Sequence, residues 1–175
     1  MDFFTVPTIA FGVLFCFFVI VHDRRRILHF NVTKHPTSVW VTQQMREAFH
    51  YDSAPKYLIF DRGAYFDGEV VAVIKSFGID HKRTGLQSPR QNGIAERRVG
   101  SCHRELLDQI IVVNECHLQR FLNESILYYR NDTTHLGLSK QTPAGRMVAE
   151  QADGGSMIIS KPRIGGLHHR YELAA

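Results

Sequence analysis

The sequence predicts an α/β fold in which a mixed five-stranded sheet, a three-stranded antiparallel meander plus two further strands, is flanked by helices. Three observations predict it. The first part of the chain is a series of short aromatic and β-branched runs, separated by Gly12 and by the polar break His22-Asp23-Arg24. The middle alternates strand-length apolar runs with stretches of helical spacing, and from Gly93 onward apolar residues recur at helical spacing alone. At 175 residues the chain is one domain by length, large enough for a proper core.

Phe3 to Thr8 is the first strand. Val13 to Val21 is almost continuously apolar and reads as a middle strand buried on both faces. Ile27 to Thr33 alternates Ile, His, Asn and Thr with Leu, Phe and Val and completes the meander. Pro36-Thr37-Ser38 supplies a helix start, and Val41, Met45, Ala48 and Phe49 carry the helix from about Ser38 to Phe49. Tyr57 to Phe60 is the fourth strand. Val70, Val73, Ile74 and Phe77 mark a short helix over Gly68 to Phe77, Gly78 breaks it, and Ile79 to Thr84 is the fifth strand. After a loop from Gly85 to Asn92, one long helical face runs through Ala95, Val99, Cys102, Leu106, Ile110 and Val113. Asn114 caps a last helix whose stripe is Leu118, Phe121, Leu122, Ser125 and Tyr129. Beyond Pro143 the pattern fades, so residues 1–146 read as the core and residues 147–175 as a weakly ordered tail with one strand or turn.

The composition, 44% hydrophobic and 22% charged, is that of a soluble globular protein. A formal charge of +4 permits a polyanionic partner. The basic groups Arg24-Arg25-Arg26, Lys82-Arg83, Arg90, Arg97-Arg98 and Arg104 fall near the acids discussed next or in connections. Three cysteines, Cys16, Cys102 and Cys116, make no disulfide framework and fit a reducing compartment, with cytoplasm the expected location. The apolar run Ile9 to Val21 falls short of the roughly 20 residues that span a bilayer and lacks the flanks of a signal peptide, so no membrane partner is expected.

Asp61 stands at the end of the fourth strand, Glu96 in the first turn of the long helix, and Asp2 before the first apolar run. Three carboxylates from separated segments can converge where a sheet ends and a helix begins. Hard oxygen ligands of this kind hold Mg²⁺, which completes its octahedron with waters and substrate phosphate oxygens, and the chemistry implied is phosphodiester transfer. Without metal, such acids raise one another's pKa. The alternative makes Asp61 a turn residue and Glu96 a first-turn acid favoured by the helix dipole.

Asp2, then Asp61-Arg62-Gly63-Ala64-Tyr65-Phe66, then Ser88-Pro89-Arg90-Gln91-Asn92-Gly93 with Ala95-Glu96-Arg97 resemble the Asp, Asp, Glu triad of the integrase catalytic core. That DDE-type core is found in bacterial insertion-sequence transposases and retroviral integrases, and the match runs from Asp2 to about Arg146. The resemblance implies a ribonuclease H-like fold and a DNA transposase or integrase domain in which Asp2, Asp61 and Glu96 are catalytic and hold two Mg²⁺ or Mn²⁺ ions. It implies DNA ends and target DNA as partners, and a homo-oligomer when active. Because Asp2 follows Met1 directly, the core reads as shortened at its N-terminus, without the sequence-reading module that precedes it in the family. The rival readings are a catalytically inactive remnant that only binds DNA and a metal-dependent nuclease of the same fold.

The expected DNA contacts are Arg62 after the second acid, Arg90, Gln91 and Asn92 in the loop before Glu96, and Arg97, Arg98, His103 and Arg104 on the long helix. Glu96, Gly100, His103 and Leu107 share one stripe of that helix. His103 stands where the family often has Lys or Arg. Cys102-His103 and Cys116-His117 lack the ligand spacing of a structural zinc site, and Cys102 completes the apolar stripe.

Overall fold

The structure, a computed structural model, describes residues 1–49, 54–61, 63–85, 92–146 and 157–174. Strands β1 (Asp2–Pro7), β2 (Val13–Ile20) and β3 (Ile27–Thr33) form an antiparallel meander with β2 in the middle. Its register runs from Asp2 opposite Phe18 to Pro7 opposite Val13, and from Phe15 opposite Thr33 to Ile20 opposite Ile27. The continuous apolar run is explained by burial on both faces. Phe17 and Val19 pack with Val41, Met45, Val70 and Ile74 on one side, while Leu14 and Cys16 pack with Cys102, Leu118 and Leu122 on the other.

Helix α1 (Ser38–Ala48) starts where Thr37 accepts the Trp40 amide, and α2 (Gly68–Ser76) where Asp67 accepts the amides of Glu69 and Val70. Between them β4 (Tyr57–Phe60) pairs in parallel with β5 (Asp80–Arg83), from Tyr57 opposite Asp80 to Phe60 opposite Arg83. The expectation of one five-stranded sheet is corrected: among the described residues the meander and the parallel pair are separate ladders. They meet at the buried Met1, whose terminal amine donates to the Ile59 carbonyl at 2.8 Å and so sets the start of β1 beside β4. That bond comes from the terminal amine and not from a strand amide, and among the described residues β1 and β4 share no ladder.

Helix α3 (Gly93–Glu105) also ends sooner than its apolar spacing predicts. The Leu106 backbone leaves the helical region, a 3₁₀ turn follows at Leu107–Gln109, and Ile110 is extended. Two causes combine. Ile110-Ile111-Val112-Val113 is a β-branched run that resists helix, and the Val112 carbonyl accepts the Ile9 amide at 2.8 Å from the β1–β2 turn. Asn114 caps α4 (Glu115–Asn131) as expected, accepting the His117 amide. No helix among the described residues is long and apolar enough to cross a membrane.

Residues 158–173 are more regular than the single strand or turn expected: β6 (Ile158–Arg163) and β7 (His168–Leu173) form an antiparallel hairpin. Its anchor is tertiary. The Asp132 carboxylate, 4% exposed at the end of α4, accepts from Arg163 Nε at 2.8 Å and Arg170 Nη1 at 3.0 Å and lies 3.8 Å from Arg146. Asp132→Ala removes the acceptor from three cations that can only partly rehydrate. A loss of about 1–3 kcal/mol is expected, read as a lower melting temperature with faster amide exchange concentrated in residues 158–173.

Candidate active site

The site is built where β1 begins, β4 ends and α3 begins. Phe60, buried at the end of β4, is held by the Phe66 ring at 5.1 Å, and Arg83 donates to the Phe66 carbonyl at 2.7 Å. These contacts fix the turn that follows Asp61. Asp61 itself is exposed and folds back on that turn, Oδ1 accepting the Gly63 amide at 2.9 Å. A Cβ at position 63 would lie 3.0 Å from that oxygen, so Gly63 leaves the room the carboxylate occupies.

Asp2 is the half-buried member of the set. Its Oδ1 accepts the Phe3 amide at 2.8 Å, and its Oδ2 accepts Nδ2 of Asn92 at 2.9 Å. Burial first, with the charges of Asp61 and Glu96 adding to it, pushes the Asp2 pKa up to about 6, while the Phe3 amide and the Met1 amine oppose the rise. Burial likewise lowers the Met1 amine to about 6, against the pull of Asp2 and Asp61. Glu96 is exposed in the first turn of α3.

Asp2 therefore lies within electrostatic reach of both Asp61 and Glu96. The structure does not present the three acids as a closed ligand set: among the described residues no three His, Cys, Asp or Glu side chains are gathered closely enough to hold a metal ion. The donor chemistry nevertheless fits a divalent cation. A cation would relieve the acid repulsion at Asp2, and its waters would offer donors to Asn92 Oδ1, which is buried without a partner.

Asn92, expected as a DNA contact in the loop before Glu96, is corrected: it is 4% exposed and its amide bonds Asp2, a role that sequence reasoning did not find. It occupies the N-cap position of α3, yet makes no side-chain capping bond and spends its amide on Asp2 instead. The only signal was its place one residue before the helix. Arg62, Arg90 and Gln91 lie outside the described residues. Arg97 and Arg104 are exposed on α3.

Arg98 is corrected as an open-surface contact. It is 6% exposed, its guanidinium lies 4.2 Å from the centre of the Tyr129 ring, and Nη2 is 3.5 Å from Ser125 Oγ. The reason is helical spacing, because Ala95, Arg98 and Cys102 share the buried face of α3. His103 packs edge-on against Phe4 at 5.8 Å and lines a groove of about 390 Å³ with Val6 to Ile9, Leu107, Asp108 and Ile110 to Val112. Cys102 is buried beside Cys16, whereas Cys116 is exposed on α4.

No family model matches the chain. An uncharacterized protein of Caenorhabditis elegans, K02A2.6, is 30% identical over 132 residues, which are 74% of this chain but 10% of that protein. The chain thus spans about a tenth of that relative's length. Among solved structures, a chain of the simian T-cell lymphotropic virus intasome in complex with PP2A regulatory subunit B56 gamma superposes with a TM-score of 0.63 at 14% identity, over 99% of this chain and 65% of its own. The fold is that of an integrase core. The HTLV-2 integrase catalytic core domain, in complex with magnesium in a trimeric form, superposes with a TM-score of 0.54 at 15% identity, over 82% of this chain and 91% of its own.

Proposed function

We propose that this chain is a DNA-processing catalytic core of the integrase and transposase type, cutting DNA ends and joining them to target DNA by divalent-metal-dependent phosphoryl transfer. The observation that carries the reading is the coupling of Asp2 to Asp61 and Glu96 at the end of β4 and the start of α3, within an integrase-core fold. Asp2, Asp61 and Glu96 would hold Mg²⁺ or Mn²⁺. When bound, a pair of such ions supplies activation of the attacking oxygen and charge stabilisation at the leaving one.

The rest is done by the chain itself. The Gly63 amide orients Asp61, and Asn92 orients Asp2. Arg97 and Arg104 on the exposed face of α3 attract backbone phosphates, with Arg62, Arg90 and Gln91 as further contacts. One solved relative is described as an intasome and the other as a trimer; a homo-oligomer on DNA is the corresponding active form proposed here.

The test is incubation of labelled duplex DNA with the chain and Mg²⁺ or Mn²⁺, scoring nicks and joined products separately. Both are expected, and both should vanish with chelator. Nicks without joining would favour a nuclease of the same fold. Binding without either product would favour an inactive remnant.

A further inference from the structure

Beside α3 lies a pocket of about 60 Å³ lined by Arg25, Arg97, Arg98, Ser101, Tyr129 and His135. No carboxylate lines it, and among the described residues none of the three arginines has an ion-pair partner. Arg25 and Arg98 are held in place by something other than an acid. Arg24 bonds the carbonyls of Thr142 and Pro143, both at 3.1 Å, and Gln141 Oε1 at 3.2 Å, fastening the β2–β3 turn to the loop after α4. Next to it Arg25 adopts a left-handed backbone, φ 57°, a conformation that costs energy for a non-glycine residue. The Arg25 side chain passes over Gly137, where a Cβ would fall 2.5 Å from Nη2. Arg98 reaches the pocket from below, stacked on Tyr129.

His135 shows what is missing. Its Nδ1 faces Arg25 Nη1 at 3.5 Å, and a guanidinium can only donate. Burial, with the Arg25 and Arg98 charges adding to it, holds the ring below its ordinary pKa, so the neutral ring carries one proton. That proton belongs on Nε2, which is buried and has no partner. The pocket therefore gathers three guanidinium groups and an unpartnered ring N–H with no carboxylate to accept from them. Its size suits a tetrahedral oxyanion, since a single water needs only about 10–15 Å³ on the same measure.

We propose that Arg25, Arg97, Arg98 and His135 form a phosphate-binding pocket that grips one backbone phosphate of nucleic acid beside the carboxylate site. Arg97 follows Glu96 directly in α3, so a strand held here passes close to acids that would otherwise repel it. The nucleic-acid source of the phosphate rests on the DNA-processing reading; the phosphate chemistry does not.

The experiment uses the full chain labelled with ¹⁵N, without divalent metal, and follows the His135 ring resonances as duplex DNA or inorganic phosphate is added. DNA affinity is measured in parallel against salt for the unaltered chain, Arg25→Gln and Gly137→Ala. The His135 signal should move with DNA. Arg25→Gln should weaken binding roughly threefold to tenfold at about 0.1 M salt and lower the salt slope by about one. Gly137→Ala should weaken binding in the same direction at unchanged charge, because it displaces Arg25. Movement with DNA alone assigns the pocket to backbone phosphate, and equal movement with inorganic phosphate assigns it to a free phosphate; both uphold the phosphate chemistry. A still His135 signal in both arms, with an unchanged slope in folded Arg25→Gln, overturns it. Loss of the cleavage reading in the nicking assay while His135 still responds would leave the pocket standing.

Discussion

Asp61→Asn is expected to lower divalent-metal-dependent cleavage by about 10²- to 10³-fold or more while the fold and DNA affinity survive. The substitution takes one charged ligand from the site. It takes little else, because Asp61 is exposed and the bond its Oδ1 accepts from the Gly63 amide is available to an asparagine oxygen as well. Removing a negative charge near the DNA path should leave affinity unchanged or slightly tighter. Cleavage kinetics, anisotropy with labelled duplex and a thermal melt, run on the same preparation, separate the effects. A well-folded variant that loses binding and cleavage in parallel would show that Asp61 acts by holding DNA and not by holding metal.

The parts of the fold that were legible in the sequence are those decided locally. The apolar run of β2, the capping residues Thr37 and Asn114 and the alternation of strands with helices each follow from periodicity or from a side chain that bonds its own helix end. The misread elements are decided by distant partners. The apolar stripe that points past Glu105 is cut short by a β-branched run that the β1–β2 turn holds through Val112, and the hairpin of β6 and β7 depends on Asp132, which lies outside it. Arg98 is different, because its burial was readable: a residue between Ala95 and Cys102 at helical spacing faces the core whatever its charge. At the site, the positions of the acids at a strand end and a helix start are local facts. The use of Asn92 on a carboxylate 90 positions away is not, and neither is the meeting of the β2–β3 turn with His135.

Asp2→Asn should stabilise the fold at neutral pH and destroy the activity. The Asp2 pKa is raised from 3.8 to about 6 by burial first and by Asp61 and Glu96 second. A carboxyl raised in the folded state favours folding fully below its unfolded pKa, and that contribution is lost as pH rises through the folded value. For Asp2 the loss therefore falls between about pH 4 and 6, and above it the ionised, half-buried group is a standing cost. Two pKa units correspond to less than about 3 kcal/mol, and partial solvent contact reduces this to about 1–2 kcal/mol. An asparagine there keeps an acceptor for the Phe3 amide, and a rotated Asn92 amide would give its orphaned Oδ1 a donor. The Met1 amine, lowered to about 6, acts in the opposite direction between about pH 6 and 8; Asp2 is one of the charges that hold it up, so the variant lowers it further, which costs the variant below about pH 6 and matters little at pH 7.5, where the buried amine is already mostly neutral. Melting curves of the two chains from pH 4 to 8 should thus cross over, with the variant ahead at pH 7.5 and flatter below pH 6. Adding Mg²⁺ or Mn²⁺ should raise the melting temperature of the unaltered chain, since an ion that binds only the folded state stabilises it, and should leave the variant where it was. A variant less stable at pH 7.5, or one that metal stabilises equally, would mean that Asp2 is a structural acid held by Phe3 and Asn92 and not one kept under strain for a cation.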